Sequence, residues 1–144
     1  MATISKANAV WNGKLRDGNG TYEAASGSFK GAYSFPTRFE GKPGTNPEEL
    51  LAAAHAACFS MALAADLEKA GTPATRISTT AHCTMDSIGG KSTVAKMRLE
   101  TRGVVKGIDQ GAFQAAADGA KQNCPVSRAL AGIPTVELVA TLEK

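Results

Sequence analysis

The sequence predicts an α+β domain, and three features of it do so. Short strand-like runs crowd the N-terminal third between tight-turn residues, a long apolar helix follows, and a strictly alternating hairpin then leads into a second helix and a closing strand. The 144 residues are enough for one hydrophobic core and too few for two ordinary domains, so residues 1–144 read as a single domain.

From Val10 to Phe35, Thr21-Tyr22-Glu23, Phe29 and Ala32-Tyr33 are β-prone, and Gly13, Asp17-Gly18-Asn19-Gly20 and Ser26-Gly27 break them apart. That is the pattern of two or three antiparallel strands joined by tight turns. Pro36 to Thr45 reads as a loop, because Gly41, Pro43 and Gly44 interrupt it. The clearest helix start comes next. Asn46 suits the N-cap, Pro47 the first helical position with its missing donor, and Glu48 and Glu49 the first turn, where negative charge is favoured. The helix is expected to run to about Ala70 and stop at Gly71. Leu50, Leu51, Ala54, Ala57, Cys58, Met61, Ala62 and Ala65 make it apolar on nearly every side, as befits a central helix covered by sheet, by other helices or by a second subunit.

Ile77, Thr79, Ala81, Cys83 and Met85 alternate with Arg76, Ser78, Thr80, His82 and Thr84, the period of a half-buried strand. Asp86 to Gly90 supplies the turn. On the return strand Ala95, Met97, Leu99 and Thr101 face one way and Lys96, Arg98, Glu100 and Arg102 the other, giving a hairpin with one wet face. A second helix is expected over roughly Asp109 to Asn123, with Phe113, Ala116, Ala117 and Ala120 as an apolar stripe that continues onto Cys124. Pro125 opens a helical turn through Leu130, and Val136 to Leu142 forms the last strand.

Composition narrows the function classes. With 43% hydrophobic and 20% charged residues the chain is of the soluble globular kind, and its net charge of +3 is scattered rather than gathered into a basic stripe, so no nucleic-acid partner is expected. Met1 to Lys14 lacks a continuous apolar core, so no secretory signal is read and a cytoplasmic location is the default. The most apolar run, Leu50 to Ala65, is rich in alanine and contains His55; it falls short of the ~20 strongly apolar residues that span a bilayer, so no membrane partner is expected. In such a setting three cysteines argue against a structural disulfide framework and for thiols that are inert, metal-binding or redox-active.

Taken singly, each candidate has a plain reading. Cys58, in the middle of an apolar helix, resembles a buried small hydrophobe. Cys124 is the more reactive-looking cysteine, because it ends one helix and precedes Pro125, so N–H groups of a new turn can point at its sulfur and favour thiolate. Cys83 shares a strand face with Ile77 and Met85 and is expected in the core. His55 and Cys58, three residues apart on one helical face, could join His82 and Cys83 in a metal site. Yet His82 and Cys83 point to opposite faces of a strand, and no Cys-x-x-Cys or His-x-x-x-His pair anchors zinc. His55 also reads as a helix-face histidine hydrogen-bonded inside a packed interface. Glu49 reads as a capping residue and Arg38 as a surface charge, but with a cysteine they would supply what peroxide reduction needs. A guanidinium can hold a thiolate and polarise peroxide oxygens, and a carboxylate can fix the guanidinium.

Thr37-Arg38-Phe39-Glu40-Gly41, the run Gly44 to Leu51, the helix Ala52 to Leu63 with its Ala-Ala-Cys-Phe, and Asn123-Cys124-Pro125-Val126-Ser127 together closely resemble the OsmC (osmotically inducible protein C) branch of the OsmC/Ohr family. The resemblance spans nearly the whole chain; Cys83 stands outside its motifs. It implies an OsmC-like fold, antiparallel sheets around a long central helix in an intertwined homodimer, that reduces organic hydroperoxides without metal or organic cofactor. It further implies Cys58 as attacking cysteine, Cys124 as resolving cysteine through an intramolecular disulfide, Arg38 and Glu49 as the activating ion pair, and an external thiol as reductant. A competing class is a thiol sensor or binding module in which the same disulfide only changes a surface. Helix geometry adds a constraint. Glu49 and Cys58 lie nine residues apart, which at ~100° and ~1.5 Å per residue places them about half a turn and roughly 13 Å from each other. If Glu49 and Arg38 act on Cys58, the partner subunit must supply them.

Overall fold

The structure is a computed structural model describing residues 1–144, and the chain forms two compact units, Met1–Pro47 and Glu48–Lys144. In the first unit β1 (Ala7–Asn12), β2 (Asn19–Ala24) and β3 (Lys30–Ser34) form an antiparallel meander, as the turn residues predict. Aromatic side chains hold one side of it together, with the Tyr33 ring centroid 5.4 Å from that of Trp11 and 6.0 Å from that of Tyr22.

The segment expected to be a loop from Pro36 begins instead with a helical turn, α1 (Phe35–Phe39). Its start is fixed by a capping box. The Thr37 N–H donates to Ser34 Oγ at 3.3 Å, and the Ser34 N–H donates to Thr37 Oγ1 at 2.9 Å. Pro36 falls within the first two helical positions, where a missing N–H is harmless, so it begins a helix here rather than breaking one.

The second unit is built on α2 (Pro47–Lys69) and a sheet of three strands, β4 (Ala74–Ile88), β5 (Lys91–Val105) and β6 (Thr135–Glu143), in the order β4-β5-β6. The hairpin is longer than its alternation suggested, each arm running 15 residues around Gly89 and Gly90, both at positive φ (58° and 76°) where the tight turn needs them. Lys96, Arg98, Glu100 and Arg102 do occupy the wet face, where Lys96 and Arg98 pair with Glu137 of β6, at 2.8 and 3.6 Å, and Arg102 with Glu143 at 3.5 Å.

The expectation of purely antiparallel sheets is corrected: β6 runs parallel to β5, Leu99 opposite Leu138. A parallel neighbour requires a long crossover, and α3 (Gln110–Asn123) and α4 (Pro125–Ala129) provide it. The Asp109 carboxylate caps α3, accepting from the Ala112 N–H at 2.8 Å, and the Gln110 side chain ties the helix to β6 by donating to the Ala140 carbonyl and accepting from the Leu142 N–H.

The core lies between β5, α2 and α3. Leu99 and Val105 of β5 meet Phe113, Ala117 and Ala120 of α3 and the stripe Phe59, Leu63 and Leu67 of α2. Gly103 of β5 is part of this packing, because a Cβ there would collide with the Phe113 ring. By length and composition α2 could cross a bilayer, but its stripe every fourth residue from His55 to Leu67 seats it on this core. Its other face is uncovered within one chain, with Ala53, Ala54, Ala57, Ala64 and Ala65 exposed and Met61 at 75% exposure.

Candidate active site

Cys124 is held by both ends of the α3–α4 junction. Its N–H closes α3 on the Ala120 carbonyl at 2.9 Å, and its carbonyl accepts from the Arg128 N–H at 3.0 Å to open α4. Its φ and ψ of −53° and 125° are the extended conformation a residue preceding proline is pushed into, and they turn its side chain into the core at 0% exposure. Cys58, one residue before the buried Phe59 on α2, is half-buried at the edge of the same core. All three cysteines are free thiols, and those of Cys58 and Cys124 lie close enough to shift each other's pKa. The fold therefore brings together the two sulfurs that are far apart in the chain.

Their surroundings pull them apart chemically. Burial, then the hydrogen bond and charge of Cys124, push the Cys58 thiol up, against a smaller downward pull from the Val126 backbone. Burial also acts to raise Cys124, but hydrogen bonds from the Cys58 thiol, from the Ser127 backbone and hydroxyl and from the Val126 backbone outweigh it, so Cys124 lies below the ordinary thiol value. Of the two, Cys58 is thus the one held more firmly as a neutral thiol. The backbone of the turn after Cys124 acts to lower its pKa.

Next to this pair, His55 of α2 is fully buried and its Nε2 lies 2.7 Å from the Ser127 hydroxyl. Burial lowers its pKa, so the ring is neutral, and its Nδ1 has no hydrogen-bond partner. His55 is the packed, hydrogen-bonded histidine its helix position allowed for; its partner Ser127 is beyond what spacing can show.

Glu49 is exposed in the first turn of α2, and the unbroken helix keeps it about half a turn and roughly 13 Å from the Cys58 of its own chain. The buried carboxylate there is that of Glu48, at 7% exposure. Arg38 stands exposed on α1 with its guanidinium 5.1 Å from the Phe39 ring centroid, and with Trp11, Leu15, Tyr33, Ser34, Phe35 and Phe39 it lines a cavity of ≈ 220 Å³. Cys83 is half-buried, and burial followed by the Glu48 charge raises its pKa, which keeps it a neutral, poorly nucleophilic thiol. His82 lies beside Glu100 at 3.8 Å on the exposed strand face.

Comparison with known proteins agrees with the motifs. Residues 39–139 match the family model described as OsmC-like protein. The chain is 44% identical over 131 residues to Peroxiredoxin OsmC of Escherichia coli (strain K12), covering 90% of this chain and 92% of that one. It is 35% identical over 105 residues to the organic hydroperoxide resistance protein of Xanthomonas axonopodis pv. citri (strain 306), covering 71% and 69%. In three dimensions it is similar to the crystal structure of an organic hydroperoxide resistance protein from Elizabethkingia anophelis, at a TM-score of 0.75 and 25% identity over 100% of this chain and 99% of that one.

Proposed function

The chain belongs to the OsmC-like family and is a cysteine-based peroxidase of stress defence, and from that premise we propose that it reduces organic hydroperoxides with Cys58 as attacking and Cys124 as resolving sulfur. The observation that carries the assignment is the contact between the thiols together with their unequal exposure. Cys124, at 0% exposure, is closed to a substrate, whereas Cys58 is half-buried and reachable. An attacking sulfur must meet a peroxide; a resolving sulfur needs only to meet its neighbour.

The proton of Cys58 has a place in the cycle. As it moves from Cys58 to Cys124, the Cys58 thiolate attacks the terminal peroxide oxygen, the O–O bond breaks, and the departing alkoxide takes the proton to leave as alcohol. Cys58 is now a sulfenic acid and Cys124 again a thiolate. Its attack on Cys58 forms the S–S bond as the S–O bond breaks, releasing hydroxide. An external dithiol reduces the bridge. All electrons come from thiols, so the cycle closes without a metal or organic cofactor, and it suits a cytoplasm in which thiols are kept reduced.

Arg38 and Glu49 complete the proposal as the pair that draws the proton off Cys58, a guanidinium favouring thiolate there. Since Glu49 cannot reach its own Cys58, the pair is supplied by the partner subunit of a homodimer. The exposed apolar face of α2 supports a second copy as its cover. The aromatic cavity beside Arg38 supports an organic substrate, because each methylene it buries is worth about 0.8 kcal/mol. With excess dithiol, many equivalents of cumene hydroperoxide should be consumed, at a higher kcat/KM than hydrogen peroxide. Consumption of one equivalent and no more would make the protein a thiol sensor, and a preference for hydrogen peroxide would refute the apolar substrate site.

A further inference from the structure

His55 heads the row Phe59, Leu63 and Leu67 on α2, all turned into the core, and a leucine there would continue the row with no polar atom to satisfy. The imidazole instead leaves its Nδ1 without a partner, which is costly in such surroundings. It keeps one hydrogen bond, between Nε2 and the Ser127 hydroxyl at 2.7 Å. Whichever of the two donates, that bond crosses from α2 to α4. Its place relative to the cysteines gives it a use. His55 stands three residues before Cys58 and Ser127 three residues after Cys124, so each sulfur lies one turn from the bond, in opposite directions along the two segments. Cys58 in turn packs against the core cluster that contains Cys124. The two segments are therefore joined at two points one turn apart, the hydrogen bond at one and the thiols at the other. Within α4, five residues long, no side chain is buried. One point of contact would let such a turn pivot; two fix both its distance and its rotation.

We propose that the His55–Ser127 hydrogen bond is a strut that sets the start of α4 against α2 at the separation a Cys58–Cys124 disulfide requires, which makes His55 and Ser127 positioning residues for resolution. A disulfide needs Cα atoms about 4.4–6.8 Å apart with the side chains aimed at each other, so a small swing of α4 would spoil it. In the resolving step of the cycle proposed above, Cys124 in its thiolate form attacks the sulfenic sulfur of Cys58, the S–S bond forms as the S–O bond breaks, and hydroxide leaves. Holding the two sulfurs in place beforehand removes an ordering cost from that step. The same restraint favours the closed disulfide over two separate thiols at equilibrium, whatever oxidant makes it.

The inference rests on that cycle, and equilibration with glutathione tests it without peroxide. The protein is brought to equilibrium over a series of reduced-to-oxidised glutathione ratios and quenched with acid, and the Cys58–Cys124 bridge is measured by peptide mass spectrometry. Ser127→Ala, a small change at a half-buried site, should lower the equilibrium constant for the bridge by roughly two- to tenfold, the factor that one intramolecular hydrogen bond contributes. Ser127→Thr keeps the hydroxyl and should restore it. His55→Leu should lower the constant by a similar factor, and the double variant His55→Leu/Ser127→Ala should lower it no further, because both changes remove the same bond. An unchanged constant in Ser127→Ala would overturn the strut, even if stability in urea fell. So would factors that multiply in the double variant, or a Ser127→Thr constant no better than that of Ser127→Ala. Should His55→Leu fail to fold, the comparison of Ser127→Ala with Ser127→Thr decides alone. Absence of any Cys58–Cys124 disulfide in peroxide-treated wild type would overturn the catalytic cycle itself, whereas a wild-type bridge with an unchanged Ser127→Ala constant would overturn the strut alone.

Discussion

Glu49 and Cys58 share one continuous helix of 23 residues, and this makes subunit complementation a sharp test of where the proposed activating pair comes from. Nine residues at ~100° each bring Glu49 about half a turn away from Cys58, and ~1.5 Å of rise per residue adds roughly 13 Å, more than twice what a carboxylate side chain spans. An Arg38→Ala subunit keeps its thiols but lacks the guanidinium; a Cys58→Ser subunit keeps the guanidinium but lacks the proposed attacking sulfur. In a mixed dimer acting in trans, one site combines the intact Cys58 of the first with the intact Arg38 of the second, while the other site lacks both. Each heterodimer should therefore regain up to half of wild-type activity. Random exchange makes about half of all dimers mixed, so the mixture should show up to about a quarter, from two parents with almost none. The assay is cumene hydroperoxide consumption with excess dithiol after unfolding and refolding the parents together. No recovery, with heterodimers verified by a tag on one subunit, would refute supply by the partner.

Two further outcomes follow from the core and from the buried histidine. Gly103→Ala forces a methyl group into the Phe113 ring on the central strand of the sheet, so urea unfolding should show a loss of about 1–3 kcal/mol, partly recovered by adding Phe113→Leu; an unchanged midpoint would contradict the packing. The pKa of His55 is lowered from its usual 6.5, so between that value and its folded pKa the unfolded chain binds a proton the folded chain does not. Stability should accordingly fall as pH drops below 6.5, by at most about 1.4 kcal/mol per pH unit, and His55→Gln should remove that part of the slope, as measured by urea unfolding across pH.

What was legible in the sequence was local. The start of α2 follows from Asn46, Pro47 and the two glutamates, the long hairpin from strict alternation, and the stripe of α3 from Phe113, Ala117 and Ala120. The turn α1 was hidden because Pro36 reads as a breaker unless the reciprocal bonds of Ser34 and Thr37 are seen to cap a helix around it. Strand direction was hidden too. Val136 to Leu142 reads as a strand whichever way it runs, and only the length of the α3–α4 crossover sets it parallel to β5. In the site, the contact between the thiols of Cys58 and Cys124 is tertiary and came from family resemblance alone. Glu48 and Glu49 are indistinguishable by composition, yet one helical step of ~100° buries the first and exposes the second. The His55–Ser127 bond joins α2 to α4 and leaves no trace in spacing.

The account turns on which sulfur meets the peroxide, and mapping the sulfenic acid tests it most directly. Cys124→Ser protein treated with cumene hydroperoxide and a sulfenic-acid trap, then digested and analysed by mass spectrometry, should carry the adduct on Cys58, with Cys83 unmodified. An adduct on Cys83, or an unmodified Cys58 here together with an adduct on Cys124 in the Cys58→Ser protein, would contradict the assignment and make the buried sulfur the attacking one.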